Sequence, residues 1–550
     1  MNDPTPLLSI RDLSANFRSR AGDLPAVRGV NIDVYPGRTV AIVGESGSGK
    51  STTAAAVNRL LPDNGRITSG RVMFEGQDLA SSSEREMIAV RGARIGFVPQ
   101  DPMSNLNPLM RVGRQIAEAL EVHGRTAGAA THAAVVELLE MVGIPNPEER
   151  LHQFPHEFSG GMRQRVLIAM GLACRPMLLI ADEPTSALDV TVQRKVLDQL
   201  DQLVGQLGTA VMLITHDLGL AAERADTIVV MSKGRIVESG SAGQILDAPQ
   251  DPYTKRLLAA APSLTSTRLI RSISSPTATT AATSAPEPAL AEVHHLAKTY
   301  AMRSSRTGSV RELTAVRDVS FTIPRGKTIS LVGESGSGKS TTANILLGLE
   351  TPTTGSVLFD GVDIASLSRR QLFAFRRRVQ PVFQNPYSSL DPRYTVQESI
   401  AEPLRVHRIG DPRSRSDAVA ALLDQVALPS ALASQLPHEL SGGQRQRVAI
   451  ARAIALSPEL VVLDEAVSAL DVIVQTQILE LLASLQRELG LSFLFISHDL
   501  AVVRLISHHV HVMKDGQIVE SGTPEEIFAA PRHEYTRELL AAIPGGRRAA

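Results

Sequence analysis

The chain has 550 residues, of which 43% are hydrophobic and 21% charged, so it is long enough for several domains that each bury a core. Its 56 basic and 57 acidic side chains give a net charge of -1, which argues against a protein recruited to nucleic acid by bulk charge. The single cysteine, Cys174, excludes an internal disulfide and any cysteine-ligated zinc or iron–sulfur site.

The sequence shows no segment typical of export or membrane insertion. Its first ten residues lack a basic start followed by an apolar core, and its longest apolar run, residues 166–174, is too short to cross a bilayer. We therefore expect a soluble, cytoplasmic chain in which Cys174 is a buried packing residue.

Short apolar strands alternate with helical stretches along the chain. Two β-branched runs lead into glycine loops, two strands end in Asp-Glu and two end in His-Asp; in chain order the strands are residues 39–43, 178–181, 211–215, 328–332, 460–463 and 492–497. This alternation predicts an α/β fold with a largely parallel core sheet. The motifs lie at the carboxyl ends of the strands, where such sheets bind their ligands.

The strongest organisational signal is an internal repeat. GESGSGKSTTA at residues 44–54 recurs at 333–343, an offset of 289 residues. ADEPTSALDV at 181–190 and LITHDL at 213–218 recur in similar form, both at an offset of 282 residues. This period is too long for a solenoid and indicates duplication of a whole domain.

A segment of different composition separates the two copies. Residues 263–288 are rich in Ser, Thr, Ala and Pro, and they contain few large apolar side chains. Such a segment cannot bury enough surface to fold, which predicts a flexible tether. The expected domains are therefore residues 1–262 and 289–550.

Both copies of the first motif fit the phosphate-binding pattern G-x-x-x-x-G-K-[ST]. The glycines allow a tight turn in which successive N–H groups point at phosphate, the lysine would reach the β- and γ-phosphates, and the serine would ligate Mg²⁺. A glycine turn with a chance lysine is the alternative, which two copies in register disfavour. The residues assigned to ATP are Gly44, Ser46, Gly47, Gly49, Lys50, Ser51, Thr52, Gly333, Ser335, Gly336, Gly338, Lys339, Ser340 and Thr341.

An acidic pair follows a buried strand in each half, at Asp182-Glu183 and Asp464-Glu465. Burial of the strand fixes the carboxylates at its tip, where the aspartate can hold Mg²⁺ and the glutamate can polarise an attacking water. Alone, such a pair is usually a solvated strand end. Its pairing with a phosphate loop is what favours catalysis.

The motifs FSGGMRQR at 158–165 and LSGGQRQR at 440–447 look like the signature of the ATP-binding cassette (ABC) family. With the glutamines and histidines named below, both halves resemble complete cassettes over nearly the whole chain outside the linker. The resemblance implies two P-loop NTPase cores, each with a helical subdomain, in a chain that hydrolyses ATP to drive transport.

In this family two cassettes meet head to tail, and each ATP lies between the phosphate loop of one cassette and the signature of the other. The resemblance therefore implies that the first loop pairs with Ser441, Gly442 and Gly443, and the second with Ser159, Gly160 and Gly161. The resemblance also implies that Glu183 and Glu465 are the catalytic carboxylates and that His216 and His498 contact the γ-phosphate. It implies that Gln100 and Gln384 sense Mg²⁺ and the membrane partner. Phe17 and Tyr300 would stack on adenine. The implied Mg²⁺ ligands are Ser51, Gln100, Asp182, Ser340, Gln384 and Asp464. Plain core packing is the alternative for Phe17 and Tyr300.

The two signatures are not equal. Met162 stands where the second signature has glutamine, and it cannot supply an amide. Pro184-Thr185 of the first half is Ala466-Val467 in the second. Because both glutamates and both histidines are present, we predict two hydrolytic sites with unequal rates.

Further segments resemble the ATPases of oligopeptide, dipeptide and nickel permeases, most of all those of actinobacterial dipeptide permeases. These are QDPMSNLNP and QNPYSSLDP after the two glutamines, and PYTKRLLAAAP and EYTRELLAAIP at the ends of the cassettes. In those importers the two ATPases are usually separate chains, and here they look fused. The resemblance implies two transmembrane permeases, an extracytoplasmic binding protein and one copy of this chain at the cytoplasmic face of the membrane.

Other interpretations remain at this stage. Nickel, glutathione, heme or another small solute could replace the peptide. Twin cassettes also occur in translation factors, which have a long charged helical linker, and in DNA-repair ATPases, which typically carry cysteine-ligated zinc; neither feature is found here. The run His508-His-Val-His511 could suggest a metal site, but a surface strand is the better interpretation because nothing completes a ligand set.

Overall fold

The computed structural model describes residues 5–19, 22–185, 188–260, 269, 289–303, 310–384, 389–468 and 470–543. The chain divides into two compact units, one of residues 1–261 with 471–473 and one of residues 262–470 with 474–550. Over the described residues, no helix is both long and apolar enough to span a bilayer.

The first unit contains strands β1–β10 and helices α1–α11. The strands are β1 (Leu8–Ser19), β2 (Gly22–Val34), β3 (Thr39–Val43), β4 (Gly65–Phe74), β5 (Gln77–Asp78), β6 (Ile95–Val98), β7 (Leu178–Asp182), β8 (Ala210–Thr215), β9 (Thr227–Ser232) and β10 (Arg235–Gly240). The helices are α1 (Lys50–Val57), α2 (Glu84–Val90), α3 (Pro102–Asn105), α4 (Val112–Glu121), α5 (Ala129–Met141), α6 (Pro147–Arg150), α7 (Gly160–Leu172), α8 (Val190–Leu207), α9 (Leu218–Arg224), α10 (Ala242–Asp247) and α11 (Pro252–Ala260).

The second unit repeats this order. Its strands are β11 (Ala289–Arg303), β12 (Val310–Pro324), β13 (Thr328–Val332), β14 (Thr354–Phe359), β15 (Val362–Asp363), β16 (Val379–Val382), β17 (Leu460–Asp464), β18 (Ser492–Ser497), β19 (His509–Lys514) and β20 (Gln517–Gly522). Its helices are α12 (Lys339–Leu346), α13 (Arg369–Arg378), α14 (Val396–Val406), α15 (Pro412–Gln425), α16 (Gly442–Ile454), α17 (Val472–Leu489), α18 (Leu500–Ile506), α19 (Pro524–Ala529) and α20 (Glu534–Ala541).

Each unit is built on a core sheet whose central strands are parallel. In the first unit the order is β10-β9-β3-β8-β7-β6, where only the edge strand β10 is antiparallel to its neighbour, and a separate antiparallel sheet has the order β2-β1-β4-β5. In the second unit a single pair, Asp318 with Gln517, joins the corresponding sheets into one of ten strands. The predicted parallel core sheet is confirmed, and the strands before the motifs agree with the sequence prediction to within one residue.

Two apolar clusters stabilise each unit. One packs helices such as α7 and α8 against one face of the core sheet, and the other fills the space between this sheet and the antiparallel strands. The strand β3, Thr39-Val-Ala-Ile-Val43, is covered on both faces, which explains its continuous apolar sequence. Cys174 is buried beside the first cluster, as predicted.

The predicted linker lies outside the described residues except for Leu269. This half-buried side chain packs on the core of the second unit, and its backbone N–H donates a hydrogen bond to the Leu505 carbonyl oxygen at 3.1 Å. The flexible tether stays a prediction for this segment. The C-terminal residues 544–550 are also outside the described part of the chain.

The expectation of a surface strand for the three histidines is wrong. β19 lies inside the sheet between β13 and β20, and His511 is only 7% exposed, with Nδ1 at 2.7 Å from Ser521 Oγ. The rings of His509 and His511 do share a face, with centroids 4.9 Å apart. Burial lowers the pKa of His511 to about 3, so it is a neutral core side chain.

Candidate functional site

The glycine loop between β3 and α1 approaches other backbone too closely for a side chain at Gly44 and at Gly49. A Cβ on Gly44 would lie 2.2 Å from the Met231 carbonyl oxygen, and one on Gly49 would lie 2.6 Å from that of Ala26. Gly49 also has φ +102° and begins α1. The loop therefore follows a closely packed backbone path into a helix N-terminus, with only Ser46 and Gly47 exposed, and this arrangement suits a phosphate.

The loop wraps around its own lysine. Lys50 is 5% exposed, and its Nζ donates to the carbonyl oxygens of Gly44 and Glu45 at 2.7 and 2.9 Å. Burial lowers the pKa of Lys50. In the second unit Lys339 makes the same contacts with Gly333 and Glu334, both at 2.7 Å.

A serine and an aspartate meet beside each loop. Ser51 Oγ donates to Asp182 Oδ1 at 3.0 Å, and Ser340 Oγ donates to Asp464 Oδ1 at 3.4 Å. Burial raises the pKa of Asp182 to about 6 and raises that of Asp464 as well. A hydroxyl and a buried carboxylate at the end of a rigid strand are the hard oxygen ligands that Mg²⁺ prefers, so these pairs fit the predicted ion.

Glutamate, glutamine and histidine form a second cluster next to that pair. Glu183 Oε2 accepts a hydrogen bond from Gln100 Nε2 at 2.8 Å, and Glu183 Oε1 lies 3.3 Å from His216 Nδ1. Burial raises the pKa of Glu183, but its contacts with His216 and Lys50 outweigh this effect and the net pKa is lowered. For His216 the signs are reversed. Burial lowers its pKa, but the contact with Glu183 raises it by more, so the pKa of His216 is raised. The arrangement favours an ionised carboxylate.

The second unit reproduces this cluster. Glu465 accepts from Gln384 Nε2 at 2.8 Å and lies 3.3 Å from His498 Nδ1. Both glutamates lie in the left-handed region, with φ +45° for Glu183 and +47° for Glu465. Strain of this kind in a non-glycine residue persists only where the surroundings enforce it, and it is typical of functional sites.

The signature serines begin helices, and the two ends differ. Ser159 accepts from the Met162 N–H at 3.4 Å at the start of α7. Ser441 accepts from the Gln444 N–H at 3.3 Å, and the Gln444 side chain accepts in return from the Ser441 N–H at 2.9 Å. Only the second signature therefore has the reciprocal capping box.

The two aromatic candidates lie on corresponding strands, β1 and β11. Phe17 is half-buried and its ring lies against Gly65. The hydroxyl of the half-buried Tyr300 donates to Glu350, and Lys298 Nζ lies 5.1 Å from the ring centroid. Phe17 and Tyr300 both lie near the carboxyl ends of their strands, and adenine stacking stays a prediction.

One pair of residues was missed at the sequence level. Tyr253 in α11 and Tyr535 in α20 each accept a hydrogen bond from the glycine loop of their own unit. Both belong to the segments PYTKRLLAAAP and EYTRELLAAIP, which in the sequence served only to indicate a resemblance to peptide-permease ATPases. Their occurrence at the same place in both repeats, before Thr254 and Thr536, was the signal that could have revealed them.

Comparison with known families agrees with this geometry. The family described as "ABC transporter" matches residues 27–186 and 316–468, and the family described as "Oligopeptide/dipeptide transporter, C-terminal region" matches residues 237–286 and 519–549. This chain belongs to the ABC transporter family. It is an ATP-binding protein with two cassettes, and it hydrolyses ATP.

Similar proteins match this ABC ATPase over nearly its whole length. The "Glutathione import ATP-binding protein GsiA" of Salmonella choleraesuis (strain SC-B67) is 46% identical over 565 residues, which cover 98% of this chain and 90% of the relative. The protein of the same name from Escherichia coli (strain K12) is 45% identical over 567 residues, with the same coverage. A solved dimeric ATP-binding cassette bound to ADP and Pi is 32% identical, with a TM-score of 0.39, and covers 42% of this chain and 98% of its own.

Proposed function

We propose that this ABC ATPase is the motor of an importer for di- and oligopeptides. It binds two permease subunits at the cytoplasmic face of the membrane, and an extracytoplasmic binding protein delivers the solute to those permeases. The observation that carries the proposal is the C-terminal region described for oligopeptide and dipeptide transporters, which matches after both cassette cores. One fused chain then takes the place of two separate ATPases in each transporter.

Glutathione is a second candidate solute. Relatives named as glutathione import proteins match 98% of the chain. Glutathione is itself a short peptide, so the two candidates belong to one chemical class. The ATPase does not touch the solute, and the choice between them must be made on the binding protein.

At each loop, the backbone N–H groups and the lysine ammonium bind the phosphates of ATP. Ser51 and Asp182 would hold Mg²⁺, and the bound ion would neutralise phosphate charge. Glu183, kept ionised and oriented by its neighbours Gln100 and His216, polarises the attacking water. The corresponding residues of the second unit act in the same way, and the head-to-tail pairing of the cassettes stays a prediction.

Affinity purification from detergent-solubilised membranes, followed by mass spectrometry, tests the importer role. We expect two multi-span permeases and a binding protein to accompany the chain. Ribosomal or DNA-repair proteins without a permease would contradict the proposal, while leaving the ATPase activity in place.

The solute is tested on the binding protein found in that experiment. Its thermal midpoint would be measured with dipeptides, longer peptides, oxidised and reduced glutathione, nickel and heme. A rise with peptides alone supports the first candidate, and a rise with glutathione alone supports the second. A response only to nickel or heme would contradict both.

A further inference from the structure

One peptide group of each glycine loop is held at both ends. In the first unit, Lys50 Nζ donates to the Gly44 carbonyl oxygen at 2.7 Å, and the Glu45 N–H donates to the Tyr253 hydroxyl at 2.9 Å. This carbonyl and this N–H belong to the same planar peptide group. The tyrosine hydroxyl and the lysine ammonium therefore fix the orientation of one plane from opposite sides.

The second unit has the same arrangement. Lys339 Nζ donates to the Gly333 carbonyl oxygen at 2.7 Å, and the Glu334 N–H donates to the Tyr535 hydroxyl at 2.9 Å. The residues before the two tyrosines differ, Asp-Pro in the first unit and His-Glu in the second. The contact is thus kept in two segments of different sequence.

Each tyrosine is supplied by a helix whose start is tied to the core sheet. Glu238 of β10 accepts from the backbone N–H groups of Gln250 and Asp251 at 2.8 and 3.1 Å, just before α11. Asp251 in turn accepts from the Tyr253 N–H at 2.7 Å. Glu520 of β20 makes the matching contacts before α20, also at 2.8 and 3.1 Å.

The tyrosine rings are fixed in position as well. Tyr253 is 6% exposed and Tyr535 is 2% exposed, and both rings pack on the helical cores of their units. Burial raises the pKa of Tyr253 to about 12, so its hydroxyl is neutral at physiological pH and can accept from the loop. A hydroxyl held this firmly selects one orientation of the peptide that it contacts.

We propose that Tyr253 and Tyr535 are positioning residues for ATP binding, through which the C-terminal extension of each cassette sets the shape of its own phosphate loop. The inference rests on the proposed role of the two loops in binding ATP. The tyrosines touch no phosphate. They act through the peptide that also orients the lysine, so their loss weakens nucleotide binding more than it slows hydrolysis.

The test uses the full chain with Tyr253→Phe, Tyr535→Phe and both together. Phenylalanine keeps the buried ring and removes only the acceptor, so the fold is retained. Losing one neutral hydrogen bond corresponds to about a 2- to 10-fold effect, and we expect the KM for ATP and the Kd of a fluorescent ATP analogue to rise by this factor, with kcat changed less than about twofold. Tyr35→Phe, a half-buried tyrosine between β2 and β3, is the matched control and should leave both values unchanged.

A second variant tests the part played by the extension. Glu238→Ala removes the two carboxylate oxygens that anchor the start of α11, and it changes neither the tyrosine nor the glycine loop. It should also raise the KM for ATP. A lowered thermal midpoint with unchanged KM and Kd, in this variant or in the phenylalanine variants, would overturn the inference, because it would show a purely structural contact.

Two further variants, Lys50→Ala and Lys339→Ala, distinguish a failure of this inference from a failure of the proposed ATP site. If the lysine variants lose the analogue while the phenylalanine variants bind it normally, the loops bind ATP and the tyrosines do not position them. If the lysine variants also bind normally, both the ATP site and the positioning role are wrong.

Discussion

Glu183 is held in a backbone conformation that glutamate rarely adopts, and its carboxylate meets both a glutamine and a histidine. Glu183→Gln keeps the shape but removes the charge that polarises water. General-base catalysis contributes about 10²- to 10⁴-fold, so hydrolysis at that site should fall by at least about 10²-fold. Steady-state ATP hydrolysis of Glu183→Gln, of Glu465→Gln and of the double variant measures this.

We expect each single variant to keep part of the activity and the double variant to lose nearly all of it, with unequal shares because the two signatures differ. Complete loss from one single variant and no loss from the other would contradict the prediction of two hydrolytic sites. ATP binding by the analogue, which should change little, is the control that the loops remain intact.

Asp182 offers a prediction about pH. Its pKa is about 6 in the folded chain against 3.8 for an ordinary aspartate, so between these values the folded state binds more protons than the unfolded state. Stability from this group is therefore lost as the pH rises from about 4 to about 6. Asp182→Asn, which stays neutral, should stabilise the nucleotide- and Mg²⁺-free protein above pH 6, by at most about 3 kcal/mol, and have little effect near pH 4.

Calorimetric unfolding of the wild type and of Asp182→Asn at pH 4.5 and pH 8 is the measurement. Asp63→Asn, at an exposed position, is the control for a general effect of charge. A gain of the same size at both pH values would mean that burial of the charge is not its cause. The gain at pH 8 should disappear when Mg²⁺ and ATP are added, since only the carboxylate binds the ion.

At the scale of elements, the two signature helices begin in different ways. Gln444 completes the capping box of α16, whereas Met162 leaves α7 with the serine contact alone. Gln444→Met should therefore lower the free energy of unfolding of the second cassette by about 0.5 to 1 kcal/mol. Gln444→Glu, which can form the same box, should keep it. Thermal unfolding of both variants measures the difference, and equal midpoints for Met and Glu would show that the cap does not stabilise the helix.

The strands before the motifs could be predicted because β-branched apolar runs covered on both faces have a clear sequence signature. The position of β19 could not, because His511 is polar in sequence and becomes a core residue only when β13 and β20 flank it and Ser521 supplies a hydrogen-bond partner. The sequence showed the polarity of the side chain but not the strands that would cover it.

The site could also be predicted only in part, because local contacts follow from the sequence and long-range contacts do not. Residues within one motif, such as Lys50 and Ser51, are placed together by local backbone geometry. The contact of Tyr253 with Glu45 joins residues 208 positions apart, and it depends on how α11 packs against the loop. Pattern reasoning detects the first kind of relation, and the second needs the fold.

At the scale of the whole molecule, each unit has its own apolar clusters and its own loop, so each should fold alone. Leu269 adds a condition, because this linker residue packs on the second unit and donates its N–H to Leu505. A fragment of residues 263–550 should therefore be more stable than one of residues 289–550. The missing hydrogen bond and partial burial of one leucine correspond to about 1 to 2 kcal/mol.

The two fragments would be compared by thermal unfolding and by binding of the fluorescent ATP analogue. Leu269→Ala in the longer fragment should lose part of the difference, since it keeps the backbone hydrogen bond and removes the packing. Equal midpoints for the two fragments would mean that residues 263–288 act only as a tether. A higher midpoint for the longer fragment, with the same affinity for the analogue, would show that Leu269 belongs to the folded second unit rather than to a tether.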